Sequence, residues 1–468
     1  MGLSGTSSSL RLAVENNYFC LALINIAYMN HEDFIVELLG KATLKSNLKP
    51  SSLSKDDSFG FVESEDRVIM NASLKHFLHC KEMDEIPISF EKAGPHKHLF
   101  FKPENTRVAI VTCGGLCPGV NNVIQSLVNQ LFYRYKVSQI MGIQYGFQGF
   151  IKSYNHPVVD LTPKSIDKIH LFGGTLLGTS RGPQDVAKIV DRLCELEIDI
   201  LFCIGGDGTL RGANAIHKEI VGRNLNISVA GIPKTIDNDI GFIDKSFGFE
   251  TAFTLASDII RFAHNEAIGA WNGIAIIKLM GRNSGFVSAN AALAMHEVNF
   301  VLIPEDPFEL DGPKGFLKAL RKRLGNRHHA LVLVAEGAGQ NFFDDSEKGT
   351  DASGNIKNKD IGLFLKQKIT EEFDAAGFPF SLKYIDPSYI IRSAPANAND
   401  SKFCGLLAQN AVHAAMAGKT DFVAGHWNEH FTLIPIPIAV SETKKIDAEG
   451  ELWWNVLETT GQPARMRN

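Results

Sequence analysis

The stretch GIPKTIDNDIGF, Gly231 to Phe242, places two carboxylates, Asp237 and Asp239, one residue apart after an apolar run, with Lys234 three residues before the first. A carboxylate within reach of a substrate hydroxyl can take its proton as the oxygen attacks phosphorus. A lysine beside it offsets the charge that develops on the transferred group. Two acids so close also fit a metal pair or a solvated turn, although a plain turn has no use for the lysine.

A second run, CIGGDGTLRGANAI, Cys203 to Ile216, sets Asp207 between Gly205-Gly206 and Gly208. Glycine turns between a strand and a helix present bare backbone N–H groups to phosphate. A carboxylate there repels phosphate unless a divalent cation stands between, and Mg²⁺ is commonly held by one or two carboxylates plus substrate phosphates. Asp207 is therefore a candidate Mg²⁺ anchor, directly or through water, with an acid closing its own turn as the alternative. Thr209 is expected as the N-cap of the following helix.

The run VTCGGLCPGVNNVIQSLV, Val111 to Val128, repeats the layout, with Gly114 and Gly115 after a strand and a helix opening near Asn121. It reads equally as a phosphate loop and as an ordinary strand-to-helix turn. Arg181 in GTSRGPQD, Arg282 in KLMGRNSGF and Arg392 in DPSYIIRSA each stand near a strand end or glycine turn. There a guanidinium fork can clamp phosphate. Glu336, ending LVLVAEG, suits a sugar hydroxyl or a buried ion pair. The GKT of HAAMAGKT, 413–420, follows a helix and lacks the first glycine of a phosphate loop, so it reads as a helix C-terminus. No GxGxxG follows a strand, and the histidines show no ligand spacing.

These residues need elements to hold them. From about residue 104, short apolar runs alternate with helix-length segments: VAIVT (108–112), IDILFCI (198–204), ISVAGIP (227–233), GIAIIKLM (273–280), FVLIP (300–304) and HALVLVAEG (329–337). Unbroken apolar strands alternating with helices imply parallel sheets covered on both faces, a doubly wound α/β architecture. Ligands in such folds sit beyond the carboxyl ends of strands, where every run above falls. Residues 1–100 carry no chemical motif. Helical patterns at 11–40 and 66–80 flank a serine-rich, linker-like stretch, and the polar segment 344–360 reads as a surface loop.

At 468 residues, 44% hydrophobic and 21% charged, the chain has room for two globular domains and an extension. A formal net charge of −5 supplies no basic field for nucleic acid. The seven cysteines, 20, 80, 113, 117, 194, 203 and 404, have no CxxC spacing, so a reducing, cytoplasmic setting without disulfides is expected. No apolar run reaches the ~20 residues of a membrane helix. YFCLALINIAY, 18–28, reads as a packed helix, and MGLSGT fits the pattern for myristoylation at Gly2.

Taken together, VTCGGLCPG, GTSRGP, GGDGT, PKTIDND, FGFETA, KLMGRNSGF, VAEG and DPSYIIR resemble, in order, the motifs of 6-phosphofructokinases. The wording is similar to that of the ATP-dependent enzymes of protists, plants and some bacteria, relatives of the pyrophosphate-dependent ones. The resemblance covers about residues 100–440, and TIDND with MGR separates it from other kinases that share GGDGT.

The resemblance implies transfer of a phosphoryl group from MgATP to the 1-hydroxyl of fructose 6-phosphate, a step of glycolysis. Gly114, Gly115, Arg181, Gly182, Gly206, Gly208 and Thr209 then hold ATP, with Asp207 serving Mg²⁺. Asp237 is the base, with Lys234 and Arg282 at the reacting centre. Thr235, Ile236, Asp237, Met280, Gly281, Arg282, Glu336 and the run Tyr389, Ile390, Ile391 and Arg392 form the sugar-phosphate site. Gly208 stands where pyrophosphate enzymes carry a second Asp, which favours ATP, whereas Lys234 matches the pyrophosphate type. Two positions at which short bacterial enzymes lend arginines to a neighbouring subunit are Gly273 and Lys383 here.

The implied layout is an extension (1–100), a nucleotide-binding domain (101–248, completed by part of 392–440), a sugar-phosphate domain (249–391) and a C-terminal segment (441–468), assembled as a homotetramer or homodimer. No nucleic acid or membrane partner is expected. The pyrophosphate-dependent transfer and a catalytically silent metabolite sensor are the alternatives.

Overall fold

The computed structural model describes residues 29–49, 60–344, 349 and 357–468. Numbered in chain order, strands β1 (Arg67–Ile69), β2 (Ser89–Lys92), β3 (Arg107–Thr112), β4 (Gln139–Ile143), β5 (Val158–Asp160), β6 (Ile200–Gly205) and β7 (Ser228–Pro233) belong to a first sheet. Strands β8 (Gly273–Leu279), β9 (Phe300–Leu302), β10 (His329–Ala335) and β11 (Ser381–Ile385) form a second, and β12 (Phe422–Trp427) and β13 (His430–Pro435) return to the first.

The first sheet has nine strands in the order β1-β2-β13-β12-β7-β6-β3-β4-β5, and the second has four in the order β9-β10-β8-β11. The second sheet is parallel throughout, as is the centre of the first from β12 to β4. All six residues of β6 and of β7 are buried. That is the expected fate of unbroken apolar runs covered on both faces. Each sheet has a hydrophobic cluster on either side, and the expected doubly wound α/β architecture is what the chain adopts.

Register decides where the chemistry falls. Thr112 pairs with Ile204, and Pro233 with Gly205, so β3, β6 and β7 end level with one another. In the second sheet Leu279 pairs with Ala335, and Ile277 with Ile385. The residues just beyond these ends are therefore neighbours in space although far apart in sequence.

The N-terminal hundred residues depart from the helical expectation. Residues 67–69 are strand rather than helix, since the β-branched pair Val68-Ile69 favours a pleated edge. The helix of that region runs Leu74–Met83, capped by Ser73, whose side chain accepts from the His76 N–H. Of the 11–40 pattern, the described part is a 3₁₀ turn, His31–Phe34, and a two-residue strand, Glu37–Leu38. Phe34 and Phe90 are fully buried and meet edge to face with centroids 5.5 Å apart, and Phe90 meets Trp427 at the same distance. Such a pair adds about 0.5–1.5 kcal/mol beyond its burial, which fastens these strands to the sheet edge.

Gly2, the apolar run 18–28 and most of the 344–360 loop lie outside the described residues. Among the described ones no helix is long and apolar enough to cross a membrane. The 413–420 stretch is the end of a helix, Ala398–Met416, followed by a short strand, as its sequence indicates.

Candidate active site

Beyond β3 the backbone turns at Gly114, whose φ of +85° lies in the left-handed region that favours glycine. Its N–H donates to the Ser180 carbonyl at 3.0 Å, and its carbonyl accepts from Thr179 Oγ1 at 2.6 Å. The glycine turn is thus clamped to the segment that carries Arg181. Only Gly114 to Leu116 are open. The start of the following helix, Val120–Asn129, is buried, and a Cβ on its cap Gly119 would lie 2.6 Å from Cys404 Sγ. The open part of the turn, Gly114 to Leu116, rather than that helix end, is what a ligand can approach, and the Gly114 N–H is already bonded within the protein.

Lys234, extending β7, is buried and donates from Nζ to the Gly115 carbonyl. A Cβ on Gly115 would lie 3.2 Å from Arg181 Nη2 and 4.0 Å from Arg392 Nη1. Three cations from distant parts of the chain therefore converge on one turn. Burial holds the Lys234 ammonium below its ordinary pKa, with Arg181 and Arg392 pushing the same way. Arg392 lies over the Tyr389 ring at 4.6 Å, and its Nε is enclosed without a hydrogen-bond partner.

The GGDGT turn differs from expectation in one respect. The helix begins at Asp207, with Gly206 as its cap in extended conformation, so Thr209 is inside the first turn and not the N-cap. Thr209 packs back over Gly205, where a Cβ would lie 2.2 Å from its hydroxyl. Asp207, half exposed at the helix N-terminus, is a favourable place for an acid. Its Oδ2 accepts from Arg211 Nε at 2.9 Å. A Cβ on Gly208 meets nothing within 4 Å, so that position faces open space.

The TIDND loop is stapled to itself. Thr235 Oγ1 accepts from the Asp237 N–H at 3.1 Å and donates to Asp239 Oδ1 at 3.0 Å. Asn238, at φ +53°, accepts from the Ser246 N–H at 2.9 Å. Asp237 has one carboxylate oxygen, Oδ1, buried without a partner. Burial raises its pKa well above the ordinary carboxylate value, and Asp239 and Glu336 add to the rise, while the Arg282 backbone and charge oppose it. Burial raises Asp239 too, against its bond from Thr235 and the Lys444 charge.

Across the cleft, Gly281 turns with φ +137°, and a Cβ on Gly337 would lie 1.9 Å from the Arg282 carbonyl, so both glycines permit a close double turn. Ser284 Oγ donates to the Asp237 carbonyl at 3.0 Å, joining the two sides. Glu336, beside Arg282 and Lys278, is held above its ordinary pKa by burial, with those cations opposing the rise.

Two side chains assigned to the sugar go elsewhere. Ile236 and Ile391 are buried in the first sheet's core, so only their backbones can face a ligand, whereas Ile390 and Tyr389 are exposed. Met280 is partly buried against that same core.

Sequence reasoning missed Arg211, whose spacing of four from Asp207 on a helix was a usable signal. It also missed the Lys278 ion pairs to Asp360 (2.7 Å) and Asp386 (2.8 Å), for which no local pattern exists. Among the described residues no group of three or more His, Cys, Asp or Glu side chains could hold a metal ion alone.

The chain is similar to known proteins over most of its length. The family model described as phosphofructokinase matches residues 107–415. The ATP-dependent 6-phosphofructokinase of Borreliella burgdorferi is 50% identical over 387 residues, covering 81% of this chain and 87% of the relative. That of Entamoeba histolytica is 46% identical over 366 residues, covering 78% and 83%. ATP-dependent 6-phosphofructokinase 7 of Arabidopsis thaliana is 45% identical over 379 residues, covering 81% and 78%. The crystal structure of a pyrophosphate-dependent phosphofructokinase from Marinobacter aquaeolei superposes with a TM-score of 0.62 at 18% identity, covering 76% of this chain and 91% of that one, a likeness of fold. With the motifs of the cleft in their expected order and relatives matched over most of their length, this chain belongs to the phosphofructokinase family.

Proposed function

We propose that the chain phosphorylates the 1-hydroxyl of fructose 6-phosphate with MgATP, giving fructose 1,6-bisphosphate and ADP as a step of glycolysis. The observation that carries this reading is the meeting of Lys234, Arg181 and Arg392 at the Gly114-Gly115 turn, with Asp237, one of whose carboxylate oxygens is buried without a partner, three residues after Lys234. Like charges gathered at one turn repel one another, and a polyanion relieves that repulsion.

Asp237 takes the proton from the 1-hydroxyl as its oxygen attacks the γ-phosphorus. The new O–P bond forms as the bond to the β-phosphate oxygen breaks, and the electron pair leaves with ADP. A base whose pKa is raised above the ordinary carboxylate value holds the proton more firmly than an ordinary carboxylate. Lys234 and Arg282 offset charge on the transferred group. Arg392, stacked on Tyr389, takes the 6-phosphate with Glu336 accepting from a sugar hydroxyl, and Arg181 and the glycines 114, 115, 182, 206 and 208 receive the nucleotide.

Mg²⁺ fits as a companion of the phosphates and not as a resident ion. Asp207 offers a half-exposed carboxylate but is bonded to Arg211, so the ion competes with that pair or binds through water. When bound, it neutralises charge on the β- and γ-phosphates.

The open space at Gly208 supports ATP over pyrophosphate, as do relatives named ATP-dependent. We place the nucleotide on the first sheet (101–248 with part of 392–440) and the sugar phosphate on the second (249–391). Assembly as a homotetramer or homodimer, and a cytoplasmic location suited to the free thiols, belong to the same reading. The test is a coupled assay of fructose 6-phosphate with ATP or pyrophosphate, with and without Mg²⁺. Turnover with pyrophosphate alone refutes the donor, and turnover with neither refutes the function.

A further inference from the structure

After β13 the chain leaves the first sheet, passes behind the TIDND loop and ends on the second. Val440 offers its carbonyl to Arg211, the partner of Asp207. Thr443 forms an antiparallel bridge with Ile240, and the Lys444 N–H donates to the Asp239 carbonyl at 2.8 Å. Ile446 is buried in the core of the second sheet. Its N–H donates at 2.9 Å to Glu305 Oε1, which also accepts from the Gly285 N–H at 3.0 Å. The strap 440–446 is thus fastened at one end to the loop that carries Asp237, and at the other to the turn that faces it.

Lys444 occupies the middle of this strap and touches both sides. Its Nζ donates to the carbonyls of Ile243 at 2.5 Å and Asp244 at 3.0 Å, closing the far end of the TIDND loop. The same ammonium lies over the Phe286 ring at 5.2 Å, on the helix Phe286–Ala294 that follows the MGRNSG turn. Burial lowers its pKa to about 8, with Asp244 and Asp239 opposing the fall. A lysine with a satisfied head and an aromatic face beneath it is fixed in place, unlike a solvated surface lysine.

We infer that Lys444 is a positioning residue for phosphoryl transfer, setting the distance between the loop that bears Asp237 and the second domain's Gly281–Ser284 turn. The inference rests on the function proposed above. Asp237 is held from the front by Ser284 Oγ on its carbonyl and from behind by the strap on residues 239, 240, 243 and 244. Without the ammonium, the loop keeps the front contact and loses its tie to Phe286. A displacement of about 1 Å at a reacting group can cost on the order of 10²-fold in rate.

The test compares the full wild-type chain with Lys444→Met and Lys444→Arg for kcat, for KM of both substrates and for the thermal midpoint. Lys444→Met is expected to lower kcat about tenfold or more, leaving both KM values within about threefold. Lys444→Arg, which keeps a cation over Phe286, should restore most of the loss. Should Lys444→Met fail to fold, Lys444→Gln, which keeps an N–H donor without charge, is read by the same split. Unchanged kcat in a folded variant overturns the inference, as does a fall in kcat, substrate affinity and thermal midpoint together without rescue by arginine. A wild-type chain inactive with either donor overturns the proposed function, and this inference with it. An active wild type beside an unaffected variant overturns this inference alone.

Discussion

Gly208→Asp separates donor binding from folding. Gly208 is the second residue of the helix Asp207–Gly222, its φ is not positive, and a Cβ there meets nothing within 4 Å. The substitution therefore introduces no clash. An acid in the first turn of a helix contributes about 0.3–1 kcal/mol, and replacing a helical glycine removes part of a penalty of about 1 kcal/mol. These gains offset the repulsion from Asp207, so the thermal midpoint should hold or rise slightly.

Donor binding should respond in the opposite direction. A new carboxylate about 6 Å from phosphate charge, at an effective dielectric of about 40, costs about 1.4 kcal/mol per unit of like charge. With one to two net charges on MgATP, its KM should rise by about 10- to 100-fold. The assay is initial rate against ATP concentration at saturating fructose 6-phosphate, with a melting curve on the same preparation. A folded variant whose KM for ATP stays within about twofold refutes the placement of the donor phosphates beside Gly208.

Asp237→Asn should lower kcat by ~10²-fold or more with little change in either KM, the scale of a lost general base; unchanged turnover removes Asp237 from the mechanism. Because the Asp237 carboxyl is held above its ordinary range and must be ionised to act, kcat/KM should fall on the acid side through a pKa higher than the usual carboxylate value of about 3.9. Lys234 acts as a cation and is held low by burial, so the alkaline limb should come below lysine's usual value of about 10.4; limbs at both ordinary values contradict this. Arg392→Ala should raise KM for fructose 6-phosphate by about 10- to 100-fold, the worth of a lost charge-assisted hydrogen bond. An effect on ATP alone reassigns that arginine.

The strands that carry the site were legible because burial on both faces forces unbroken apolar runs. The segments read as strands at 108–112, 198–204, 227–233, 273–280, 300–304 and 329–337 all contain strands within a few residues of those bounds. The strands β1, β2, β4, β5, β11, β12 and β13 were not; at an exposed edge the reason is that a half-covered strand such as Ser381–Ile385 mixes polar and apolar residues without a clear run. Asp237, Lys234 and the arginines were visible because glycine turns mark where strands end. What sequence could not supply was direction. Ile391 and Arg392 are adjacent, yet one side chain enters the core and the other reaches the Gly115 turn, a division set by the short helix Ser388–Ser393. Lys278 and Lys444 find their partners across 82 and about 200 residues, and no local pattern encodes such pairs.

The path of the chain through its two sheets also bears on how the protein is made. The first sheet needs β12, Phe422–Trp427, to flank β7, and the second is covered by the helix Glu451–Thr460, with Gln462 bonded to the Val301 N–H at 2.6 Å. Neither half can close its core while residues 422–462 are still being synthesised. One face of β6 and β7 packs on helices already made, Val186–Glu195 and Asp207–Gly222, but the other packs on Ala398–Met416, so the first sheet closes only late in translation. Chaperone demand is thus set by strand order, and a chain interrupted before residue 422 leaves two unfinished sheets rather than one finished domain.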